Sequence, residues 1–125
     1  MKNLAIAALF TFICVPSWAE EIFIGTPIAR TELIGEQVQR TMLDSSSQSE
    51  FQVIIQRDGD RYFWKTREMK ELERYQSGIF VTYQAIDGSG YVRIDSSANA
   101  SSPLGYLEHL KLGLMTITYQ GQVSK

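Results

Sequence analysis

The sequence predicts a strand-rich α+β domain, a small antiparallel sheet of about five strands with one N-terminal helix. Three observations carry this expectation. Residues 51–95 alternate apolar and polar side chains around two turn signals, Asp58-Gly59 and Asp87-Gly88-Ser89-Gly90, as two tandem hairpins would. Residues near 110–119 alternate in the same way. Residues 27–43 instead place apolar side chains at helical spacing.

The chain has 125 residues and opens as an export leader. Met1-Lys2-Asn3 is a short basic start, Leu4 to Val15 is almost wholly apolar, and Ser17 and Ala19 are the small residues of a cleavage site after Ala19. Twelve apolar residues make only ~18 Å of helix, against a bilayer core of roughly 30 Å, so the segment is too short to be a membrane anchor. Ile13, before Cys14, is too large for a lipoprotein site. The expectation is therefore a leader at 1–19 and one exported domain at 20–125, periplasmic or secreted, with no transmembrane anchor in the mature form.

The only cysteine, Cys14, would leave with the leader, so the domain has no disulfide and no thiolate. The whole chain carries a formal charge of −2, and losing Lys2 makes the domain slightly more acidic. No basic field is left to hold nucleic acid.

Within the domain, Glu20 to Gly25 reads as a short first strand. Thr26-Pro27 reads as a helix start, since threonine caps well and proline is tolerated at the first helical position. Leu33, Ile34, Val38 and Met42 then supply the apolar stripe of a helix over about 27–43, with a strand as the competing assignment. Asp44 to Ser49 reads as a polar loop.

The first hairpin, 51–66, pairs Ile55 with Tyr62 and Val53 with Trp64 if Asp58-Gly59 is a two-residue turn. Phe51, Val53, Ile55, Tyr62 and Trp64 then share the packed face, with Phe63 on the other. Residues 66–76 read either as a short helix carrying Met69 and Leu72 or as an irregular link. The second hairpin, 79–95, with Gly88-Ser89 at its tip, pairs Ala85 with Val92 and Gln84 with Arg93. It puts Ile79, Val81, Tyr83, Ala85, Val92 and Ile94 on one face. Ser96 to Ser102 reads as a loop, and a C-terminal strand at about 110–119 completes the sheet.

No motif carries a reaction. His109 is the only histidine, and alternation along a strand puts its neighbour Glu108 on the opposite side. Asp58-Gly59-Asp60 lacks the rest of a calcium loop, and Gly88-Ser89-Gly90 lacks the glycine and helix of a dinucleotide site. One histidine and no mature cysteine argue against zinc, and no cofactor is expected. Arg61, Phe63, Lys65 and Arg67 form a basic and aromatic stripe on the less apolar face of the first hairpin. In an exported acidic domain this stripe is a candidate contact surface for an envelope protein, a peptide or a glycan.

The leading expectation is a non-catalytic accessory or binding module. The alternatives are a small hydrolase using Glu108 and His109 with a carboxylate such as Asp95, and an inhibitor or envelope assembly factor acting through a loop or sheet edge.

Overall fold

The computed structural model describes residues 19–99, 101–102 and 104–125. Cys14 and nearly all of the leader lie outside these residues, and the described residues contain no cysteine. Among the described residues nine strands run in chain order: β1 Glu20–Ile34, β2 Gln37–Met42, β3 Val53–Asp58, β4 Arg61–Trp64, β5 Lys70–Ser77, β6 Phe80–Ala85, β7 Gly90–Asp95, β8 Tyr106–Leu112 and β9 Met115–Val123. A short helix, α1 (Ser45–Glu50), lies between β2 and β3. Among the described residues no helix is long and apolar enough to cross a membrane.

All pairings are antiparallel, and β1 closes them into a ring. One edge of β1 pairs first with β3 (Glu20–Gly25) and then with β2 (Ala29–Ile34), while its other edge pairs with β9 from Gly25 to Ile34. Strands β1 and β3–β9 therefore form a closed eight-stranded barrel, and β2 extends beyond it as a ninth strand. Closure leaves the barrel strands no free edge. Only β2, exposed along its whole length, keeps one among the described residues.

This architecture corrects the expected five-stranded α+β sheet. Residues 27–43 are not a helix but the second half of β1 and all of β2, joined at Gly35-Glu36. The glycine that would weaken a helix supplies the left-handed turn, with φ of +60°. Leu33, Ile34, Val38 and Met42, 41–67% exposed, are no buried helical stripe. Pro27, read as a helix start, sits inside β1 at a bulge between Pro27 and Ala29, where a missing donor disrupts no regular ladder. Asp44–Ser49 is mostly α1, with the Asp44 side chain accepting the Ser47 N–H at 2.9 Å. Residues 66–76 hold a turn and most of β5, whose Leu72 points inward beside Tyr62 and Ala85. The C-terminal strand at about 110–119 is two strands, because the chain reverses at Gly113-Leu114.

Both hairpins form with a register two residues from the expected one. Ile55 faces Trp64, and Tyr83 faces Val92. A slip of two preserves faces, since the side-chain period is two. Val53, Ile55, Trp64, Val81, Tyr83, Ala85 and Val92 are all buried inside the barrel, as their alternation requires. Ile79, assigned to the packed face, is exposed.

Trp64 is the largest fully buried side chain, and the strand opposite makes room for it. A β-carbon on Gly90 would sit 3.1 Å from the Trp64 ring and 2.1 Å from the His109 carbonyl oxygen. Gly90→Ala is therefore expected to lower stability by about 1–3 kcal/mol, the cost of overpacking, as measured by denaturant unfolding. An unchanged midpoint would show that β7 and β8 lie farther apart than this packing has them.

Candidate functional site

The β8–β9 pairing stacks the inward side chains in layers running from the barrel's middle to one open end. Tyr106 faces Gly121, then Glu108 faces Tyr119, Leu110 faces Ile117, and Leu112 faces Met115. On β1, Arg30 faces Tyr119 and Ile34 faces Met115. The turns at 35–36, 65–69, 86–89 and 113–114 all lie at this end, which we term the mouth.

One layer holds a carboxylate. Glu108 is fully buried, and both of its oxygens are occupied. The Trp64 Nε1–H donates to Oε2 at 2.9 Å, Arg67 Nε donates to the same oxygen at 3.2 Å, and Arg67 Nη2 donates to Oε1 at 3.0 Å. The two-point guanidinium contact is the strong form of such a pair. Burial pushes the Glu108 carboxyl above its ordinary pKa despite the pull of Arg67 and Trp64. Burial works against the charge on Arg67, yet Glu108 outweighs it and leaves the guanidinium more firmly protonated than usual.

Arg67 reaches Glu108 because the chain folds back over the mouth after β4. The Arg67 N–H bonds the Trp64 carbonyl at 3.0 Å and the Lys70 N–H bonds the Arg67 carbonyl at 3.2 Å. Between them Glu68 and Met69 both adopt left-handed backbone, with φ of 57° and 55°. Two consecutive non-glycine residues in that region are uncommon and costly. They let the loop turn tightly enough to aim Arg67 inward. The Arg67 and Arg30 guanidinium carbons lie 5.7 and 5.8 Å from the centre of the Tyr119 ring. Phe51, after α1, packs on the same ring with centroids 5.4 Å apart.

Above this clasp lies a cavity of about 330 Å³. Trp64 lies beneath it, Tyr119, Leu110, Ile117 and Leu112 form its walls, and Arg67, Lys70, Glu68 and Ser89 supply its polar groups, while Lys111 borders it with its side chain turned outward beside His109. This is the small end of the ~300–1,000 Å³ range of ligand pockets, and the mixture of apolar wall and few polar groups is their usual chemistry.

The structure divides the basic and aromatic stripe. Arg61, Phe63 and Lys65 lie outside the barrel. Arg61 makes a two-point ion pair with Glu71 at 2.8–2.9 Å and covers Phe63, its guanidinium carbon 5.1 Å from the ring centre. Lys65 pairs with Glu21 at 2.7 Å. Arg67 alone joins the mouth.

Glu108 and His109 do lie on opposite faces. His109 points outward, with Nδ1 hydrogen-bonded to Thr118 Oγ1 at 3.0 Å and its ring 5.2 Å from that of Tyr91. Burial and then nearby Lys111 lower its pKa. Asp95 caps a turn at the opposite end of the barrel, accepting from Ser97. Glu108, His109 and Asp95 thus do not converge. Gly88-Ser89-Gly90 is a turn held by Asp87, which accepts the Ser89 N–H at 2.9 Å. Among the described residues no group of three or more His, Cys, Asp or Glu side chains could hold a metal.

Sequence reasoning missed the clasp and the wall residues Leu110, Ile117 and Tyr119. One signal was present. In Tyr106–Leu112 the alternation puts Glu108 on the same face as Tyr106, Leu110 and Leu112, and a lone acid on an apolar face needs a partner. Compared with known proteins, the chain matches no family model, no curated protein and no solved structure.

Proposed function

We propose that the chain is a non-catalytic, exported binding module whose ligand sits in the barrel mouth above the Glu108–Arg67 clasp. The observation that carries this reading is the combination of a closed barrel with a cavity of about 330 Å³ over a fully bonded ionic floor. The floor is fixed before any ligand arrives, so binding would not have to order it. The non-catalytic part of this reading is supported by the placement of the two best candidates. The oxygens of Glu108 are taken by Trp64 and Arg67, and His109 is on the outer surface. Export rests on the layout of residues 1–19.

The test uses N-phenyl-1-naphthylamine, an uncharged dye that brightens in apolar sites. It should bind residues 20–125 saturably, with one site per chain. Leu112→Trp, half-exposed at the rim, should fill the mouth without disturbing the core and weaken dye binding at least tenfold. No saturable binding, or equal binding by Leu112→Trp, would overturn the reading.

A further inference from the structure

We infer that the mouth accepts an amphipathic monoanion, an apolar chain capped by a carboxylate. This rests on the binding-module reading and names its ligand class. The apolar half of the recognition is the wall of Leu110, Ile117 and Tyr119, which continues outward through Leu112 and Ile34, 50% and 52% exposed. An apolar chain leaving the cavity would meet apolar side chains up to the rim.

The polar half is set by which member of each ion pair faces the cavity. Arg67 lines it while its counter-ion Glu108 lies beneath, and Lys70 lines it while its counter-ion Asp87, 2.7 Å away, does not. Nε and Nη2 of Arg67 bond Glu108, its guanidinium also lies within reach of the Tyr119 hydroxyl, and its side chain is 26% exposed. Lys111 also borders the cavity, but strand alternation between the inward Leu110 and Leu112 sends its side chain outward beside His109, so it adds no cation to the cavity. Against these two cations, Arg67 and Lys70, the lining carries one acid, Glu68. A carboxylate there gains charge-assisted hydrogen bonds, an uncharged head gains less, and an ammonium head meets like charge.

The experiment is displacement of N-phenyl-1-naphthylamine by three eight-carbon probes that differ only at the head: octanoate, 1-octanol and octylammonium. Octanoate should displace the dye at a concentration at least tenfold below octylammonium, with 1-octanol between them, and high salt should narrow the gap. Lys70→Gln removes a cation from the cavity lining and leaves the Glu108–Arg67 clasp intact. It should weaken octanoate about tenfold and strengthen octylammonium while leaving 1-octanol within twofold. If the dye binds but the three probes compete equally, or 1-octanol is tightest, the anion inference is overturned and the binding-module reading stands. If the dye itself does not bind the mouth, both fall.

Discussion

Glu108→Ala is expected to remove about 3–5 kcal/mol of stability, the cost of breaking one partner out of a buried ion pair. It leaves the Arg67 guanidinium and the Trp64 N–H without their acceptor in the centre of the barrel. Against a total of roughly 5–15 kcal/mol, much of the protein would be close to unfolding. Combining Glu108→Ala with Arg67→Leu should recover part of that loss, because no charge is then left unpaired and only the Trp64 N–H still lacks its acceptor. A four-point cycle of denaturant midpoints measures this coupling. A Glu108→Ala cost below about 1 kcal/mol would mean that water reaches the pair.

The pH dependence of the same site has a definite sign. Burial raises the Glu108 pKa in the folded state, so folding favours its protonated form. The stability from that preference is full below the unfolded value of about 4.3 and is lost as pH rises through the folded value. Glu108→Gln lacks this titration, so its stability deficit relative to the parent should be larger near pH 4 than near pH 7. Taking the difference between the two proteins cancels the surface carboxylates Glu21, Glu71 and Asp87. Their partners lower their pKa values, so they contribute the opposite slope, losing stability in acid.

Trp64→Ala is expected to cost about 3–5 kcal/mol, the range for deleting a large buried aromatic. Trp64 has no exposed surface, fills the space left by Gly90 and donates to Glu108. Its effect will not add to that of Glu108→Ala, since the two share a hydrogen bond. Lys65→Ala, next in the chain but outside the barrel and paired only with Glu21, should stay within about ±0.5 kcal/mol. Unfolding of the two variants side by side checks both. A tolerated Trp64→Ala with a disruptive Lys65→Ala would reverse inside and outside.

What the sequence reveals about this fold follows the range of each interaction. Alternation in 51–64 and 80–95 is local and was legible, including the burial of Trp64 and Tyr83 and the outward placement of Phe63. Register was legible only to within two residues, since that slip leaves every face unchanged. Closure was not legible, because it depends on β1 meeting β9 at the far end of the chain, and no local pattern records that. Glu20 to Gly25 was legible as strand, but 27–43 was misread as helix because its exposed apolar residues fall by chance at helical spacing and its proline sits at a bulge. The site followed the same rule. Alternation separates Glu108 from His109, but Arg67 lies 41 positions from Glu108 and reaches it only through the left-handed pair Glu68-Met69.

The most direct test of the mouth as a binding site is an amide ¹H–¹⁵N spectrum of residues 20–125 titrated with octanoate. Saturable shifts should concentrate at Trp64, Arg67–Lys70, Ser89 and 110–119, together with the Trp64 indole N–H that bonds Glu108. Amides at the far end, in the 59–60 and 78–79 turns, should stay in place. Shifts centred instead on Arg61, Phe63 and Lys65, or on the free edge of β2, would contradict the assignment of the mouth as the site.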